Sequence, residues 1–155
     1  MPTKNQKELT KNVIKYVLYR LGSNGGGRTK LMKLMFLIDY YDPENDQITL
    51  KSRLGNRFII YNYGIFSFEV FDSLVGMIRN NEIKEVPFKL AVNSDISDFS
   101  KALDKNLKVK IDKIIEKFGK LTKEEIDKKT IEMIGVKYAD KPKYLGTPVE
   151  EIIQP

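Results

Sequence analysis

Cysteine, histidine and tryptophan are all missing from the 155 residues. Without cysteine or histidine there is no zinc site of the ordinary kind, no thiolate nucleophile, no disulfide framework and no imidazole base. Long apolar runs are missing too. The longest apolar-rich stretch, Leu31 to Tyr41, is interrupted by Lys33 and Asp39 and is far short of a bilayer span. The Met1-Pro2-Thr3 start runs into Lys, Asn and Gln, with no apolar segment of a secretory signal. These absences predict a cytoplasmic protein with no membrane partner, no cofactor and no metal.

What is present is a basic chain, with 27 Lys and Arg against 21 Asp and Glu. The excess sits at the front: residues 1–45 carry eight basic and four acidic groups, whereas residues 91–155 carry thirteen and twelve. The Lys-rich C-terminal third is therefore a charge-laced solvent face rather than a nucleic-acid arm. The length predicts a single domain over 1–155, with a helical core and hairpin in 1–90 and a helical part with an irregular tail in 91–155.

The fold class read from periodicity is α+β and mainly helical: about five helices, a small β-hairpin and a short edge strand. Thr3 and Gln6 have capping-box spacing ahead of a helix from about Lys4 to Leu21, which Gly22 stops. A second helix runs from about Thr29 to Tyr41, before Pro43. Ile48–Arg53 and Arg57–Tyr63 read as the strands of a hairpin turning at Leu54-Gly55-Asn56. Ser67 caps a third helix. Val86 and Leu90, alternating around Pro87 and with Phe88 between them, read as an edge strand. Leu103, Leu107, Ile111, Ile114 and Phe118 form the stripe of a fourth helix, and a second capping box at Thr122 and Glu125 opens a fifth. Ala91–Phe99 is the one linker candidate, and Val149–Ile153 a short turn in the tail.

Two segments imitate chemical motifs. Gly22–Thr29 nearly matches the phosphate-cradling loop GxxxxGK[ST], with Arg28 in the Lys position, but a helix precedes it where that chemistry needs a strand. It reads as a helix–helix connection. Asp42, Glu44 and Asp46 have the first ligand spacings of a calcium loop, but Gln47 and Arg53 occupy its Gly and bidentate Glu positions. That segment reads as a solvated turn. No nucleophile–base pair is legible, so the chain reads as a non-enzyme.

The order helix, Gly-rich turn, helix, hairpin is compatible with a winged-helix-like core. In that reading Arg28, Lys30 and Lys33, with Arg53 and Arg57 of the hairpin, contact DNA phosphates. At 100° per residue Leu31, Leu34, Met35 and Ile38 form the inward face of helix two, and Phe36, Leu37 and Tyr40 fall on the other side. Base edges are read by polar side chains, so this helix is either buried on nearly all sides or covered by a protein. Lys33 reads as a surface residue.

Lys30-Leu31-Met32-Lys33-Leu34-Met35-Phe36 resembles the K-L-x-K-L-x-[YF] helix of the Panacea domain, the family of SocA-type antitoxins and the similar YwgA-like proteins. Tyr63-Gly64-Ile65-Phe66-Ser67 resembles that family's Y-G-P-[FY]-S turn, with Ile65 in place of the proline. Phe118-Gly119-Lys120-Leu121-Thr122 is similar to its late helix pair. The resemblance implies a compact, mainly helical, non-enzymatic domain that binds a protein partner, either neutralising a toxin or presenting it to a protease. Phe36, Tyr40, Tyr61, Tyr63 and Phe66, from the two motif segments and their flanks, interleave with the cations Lys33 and Arg57, and these seven are the partner-binding candidates. The same aromatics are also suited to filling the core. The sequence sets no oligomeric state.

Overall fold

The structure, a computed structural model, describes residues 1–22, 25–87, 89–93 and 99–153. Its order is α1 (Lys4–Leu21), α2 (Arg28–Tyr40), β1 (Tyr41–Asp42), β2 (Gln47–Ile48), β3 (Ile59–Tyr61), β4 (Gly64–Phe66) and α3 (Phe68–Arg79). There follow β5 (Ile83–Val86), β6 (Lys89–Val92), α4 (Lys105–Phe118), α5 (Lys123–Met133), a 3-10 helix (Tyr138–Tyr144) and α6 (Val149–Ile152). The protein is thus α+β and mainly helical, with five helices of eleven residues or more among the described residues. None of its helices there is long and apolar enough to cross a membrane.

The helix boundaries follow local signals. Thr3 and Gln6 close a reciprocal capping box on α1, and Thr122 and Glu125 close another on α5. The Ser67 hydroxyl accepts from the Val70 N–H to start α3, and the Asp104 carboxylate does the same for α4. Each such cap contributes about 1 kcal/mol by satisfying an orphan donor.

The strands depart from the sequence reading. There are three separate two-stranded antiparallel hairpins: β1–β2, β3–β4 and β5–β6. The expected pairing of 48–53 with 57–63 does not form, because residues 49–58 are pinned elsewhere. The buried Asp39 carboxylate accepts from the Ser52 hydroxyl (2.5 Å) and the N–H groups of Arg53 (2.7 Å) and Leu54 (3.1 Å), which curls the segment around the end of α2. β3 instead turns back at Asn62-Tyr63 to pair with β4, Ile60 opposite Ile65. The expected edge strand is a hairpin: Pro87 lies in its turn, where a fixed φ is an asset, and β5 and β6 pair on either side. Phe88 and most of the linker candidate (94–98) lie outside the described residues, as do Ser23 and Asn24 of the glycine-rich connection.

α2 is the axis of the core. All eleven residues from Lys30 to Tyr40 are buried, against α3, α4, α5, β1 and β4. The side of α2 opposite its inward stripe is therefore covered by the chain itself. Phe36 stacks on Tyr40 (centroids 5.4 Å), and Phe58 meets both edge-on at 5.5 and 5.9 Å. Geometries of this kind add about 0.5–1.5 kcal/mol per pair beyond burial.

The tail clasps this core. The Ile60 N–H donates to the Thr147 carbonyl, Gly146 N–H to the Ile60 carbonyl, and Val149 N–H to the Phe58 carbonyl, so residues 146–149 cover the outer edge of β3. The Tyr40 hydroxyl, deep beneath, reaches the Glu150 carboxylate at 3.2 Å.

Candidate functional site

The β3–β4 turn carries Tyr61 and Tyr63 outward, and the Ser67 cap then launches α3 with Phe68 and Phe71 on neighbouring positions of its first turn. Phe66, the last residue of β4, lies between them. Its ring is 5.5 Å from Tyr61, 5.0 Å from Phe68 and 5.7 Å from Phe71. This continuous aromatic cluster is not core: Tyr61, Phe68 and Tyr63 are 42, 51 and 74% exposed. It walls an open cleft of about 450 Å³ whose far side is the first turn of α2, with Arg28, Thr29, Met32 and Lys33.

Arg28 forms one rim of the cleft. Its guanidinium stands over the Phe71 ring at 5.5 Å and forks onto Glu85 at 2.6 and 2.7 Å. That pairing holds the Glu85 carboxyl below the usual carboxylate range.

Lys33 is the largest departure from expectation, being 1% exposed rather than a surface residue. Its ammonium donates to the Tyr63 carbonyl at 2.5 Å, tying the β3–β4 turn to α2. Burial pushes the Lys33 amine down to about 8, against the nearby Asp127 charge, which favours the protonated form; Lys141 adds to the depression. Asp127, projecting from α5, is itself nearly buried. One oxygen accepts from Tyr138 (2.8 Å) and Lys141 (2.9 Å), while Oδ1 has no hydrogen-bond partner. Gly64 makes room for this arrangement: with φ at +100°, a Cβ there would lie 1.9 Å from Asp127 Oδ1 and 3.0 Å from Lys33 Cε. Only glycine fits the turn.

A second, more polar cleft of about 480 Å³ opens on the other side of the turn, between Asn62, Lys123, Asp127, Tyr138 and Lys141. Thr29 and Tyr63 line both clefts. Among the described residues no group of three or more acidic side chains is arranged to hold a metal ion. The calcium-like turn spends its carboxylates internally: Asp42 accepts from the N–H groups of Glu44 and Asn45, Glu44 pairs with Lys113, and Asp46 with Tyr41 and Lys117.

Of the residues proposed for partner binding, Tyr61, Tyr63 and Phe66 share the cleft with Lys33, while Arg57 lies apart, paired with Glu69. Phe36 and Tyr40 are core residues, fully covered, and no surface includes them. The five cations proposed for DNA do not form a patch. Arg28 pairs with Glu85, Lys30 is buried with its amine on the Gly119 carbonyl (2.5 Å), Lys33 is buried as described, Arg53 pairs with Asp104, and Arg57 with Glu69. Phe68, Phe71 and Asp127 are site residues that the sequence reading did not single out. The signal for Phe68 was the Ser67 cap, which places it in an exposed first turn; Asp127, in a Lys-rich helix, has no local signal.

No family model, no curated protein and no solved structure matches this chain.

Proposed function

We propose that the chain is a non-enzymatic protein-binding domain whose partner docks on the aromatic cleft between α2, the β3–β4 turn and α3. The observation that carries this reading is a cleft walled by exposed Tyr61, Tyr63 and Phe68, with half-buried Phe66 joining the rings of Tyr61 and Phe68. Such rings are the side chains that dominate binding energy at protein interfaces, and monomeric surfaces rarely leave them grouped. The resemblance to SocA-type antitoxins supports a toxin as the partner, neutralised directly or handed to a protease. A DNA-binding role is the weaker reading, since Lys30 to Tyr40 of α2 are buried, two of the five cations it requires are themselves buried, and Arg53 and Arg57 are paired with Asp104 and Glu69.

The test is to read the neighbouring reading frames and, where one encodes a small toxic protein, to co-express it with this chain, scoring rescue of growth. Wild type should rescue, and the double variant Tyr63→Ser, Phe68→Ser should not, while remaining folded with a loss of about 1–3 kcal/mol, since Phe68 gives up its edge contacts to Tyr61 and Phe66. Sub-micromolar, sequence-selective DNA binding that survives near-physiological salt overturns the reading.

A further inference from the structure

The chemistry of the cleft is more specific than apolar. Its wall is five rings and Met32, its charged groups are Arg28 and Lys33, and no carboxylate lines it. Lys33 is the informative member. An ammonium has three N–H donors, and among the described residues only the Tyr63 carbonyl takes one. A nearly buried cation with unspent donors is costly unless something completes its shell. The positive end of α2 adds to the same field: Gly27 gives no side-chain cap, the first turn has no acidic residue, and Arg28 and Thr29 of that turn line the cleft.

We infer that the cleft recognises a bulky apolar side chain of the partner with a carboxylate beside it in the chain. The apolar group lies among Tyr61, Phe66, Phe68 and Phe71; the carboxylate lies against the N–H groups that Lys33 does not give to Tyr63, beside the Arg28 guanidinium, whose Nε and one Nη are held by Glu85. This rests on the protein-binding reading above and names the partner's chemistry. The overall basic charge of the chain fits an acidic partner segment, and so does the pairing of aromatic wall with cationic floor. Arg28 is suited to the role because its guanidinium carbon stands 5.5 Å from the Phe71 ring centroid while Glu85 holds it in place, so the ring and the cation are presented together.

The test uses the full chain, isotopically labelled, titrated with four end-blocked pentapeptides by NMR. Each has Gly at both ends, Phe or Ala in the centre, and Glu or Gln on both flanks. The Glu-flanked Phe peptide should shift Thr29, Gly64 and Phe66 and bind about tenfold tighter than either the Gln-flanked Phe or the Glu-flanked Ala peptide. In Arg28→Gln, and independently in Lys33→Met, the preference for Glu over Gln flanks, a ratio taken within each variant, should fall to about threefold or less. Equal affinity for Glu- and Gln-flanked Phe peptides at these resonances overturns the carboxylate assignment and leaves protein docking at the cleft standing. Failure of all four peptides to move them overturns both.

Discussion

At the C-terminal end of α2, Asp39 is buried and fully answered. Its carboxylate accepts a hydroxyl and two backbone N–H groups, and the neighbouring Tyr41 hydroxyl is held between Asp46 and Lys117. Midway along the same helix, Lys33 is equally buried, yet its ammonium meets one carbonyl, and Asp127 beside it keeps an oxygen without a donor. Two ionisable residues six positions apart on one helix thus have opposite treatment. Complete satisfaction marks architecture, where a charge organises a loop that nothing else would shape. Partial satisfaction next to an open cleft marks a place where something else completes the set.

The largest effect is expected where satisfaction is complete. Asp39→Ala strips the acceptor from residues 52–54 and leaves the Leu54 N–H buried without a partner. A loss of about 3 kcal/mol or more is expected, read by urea unfolding. If the cost is under 1 kcal/mol, the loop is held by packing and the contrast between Asp39 and Lys33 fails.

Gly64→Ala should be the next most damaging change, at about 2 kcal/mol, because it combines positive φ with a clash against Asp127. Thermal melts of Gly64→Ala alone and together with Asp127→Ala sharpen the point. Removing the carboxylate relieves the clash but not the backbone strain, so the double variant should cost less than the sum of the singles.

The smallest effect is in pH dependence. Unfolded Lys33 holds its proton to near 10.5, whereas the folded chain releases it near 8. Between those values the unfolded state binds more protons, so stability attributable to Lys33 rises with pH. Asp127 of α5 and Lys141 of the 3-10 helix face this amine, and against the pull of burial the Asp127 contact holds the Lys141 amine above the ordinary lysine range. From pH 7 to pH 9 wild type should gain about 1 kcal/mol relative to Lys33→Met. Parallel curves for the two proteins would show that Lys33 is solvated, and the contrast with Asp39 would vanish.

The elements most legible in sequence were those written by neighbouring residues. The Thr3 and Thr122 boxes, the Ser67 cap and the stripes of α3 and α4 involve partners three or four positions away, and all appear in place. What misled was long-range. Ile48 to Arg53 has strand-like composition, but a carboxylate from the preceding helix claims its N–H groups. Lys33 falls at a spacing that ordinarily faces water, and only the β3–β4 turn and α5 folding over it make it interior. The rings were recognised as a group, but Phe36 and Tyr40 separated from Tyr61 and Tyr63, since periodicity says which residues share a face and not which face another element covers. The cleft emerges only when α3 brings Phe68 and Phe71 alongside.

The clasp of residues 146–149 over β3 has a consequence during synthesis. Translation proceeds at roughly 5–20 residues per second, so several seconds separate the emergence of β3 from that of the segment that covers it. Through that interval the backbone groups of Phe58 and Ile60 that bond the tail lie on an open strand edge, the kind that other nascent chains can join. The edge stays open until residues 146–149 arrive, and a ribosome that stalls before them leaves it uncovered for as long as the stall lasts.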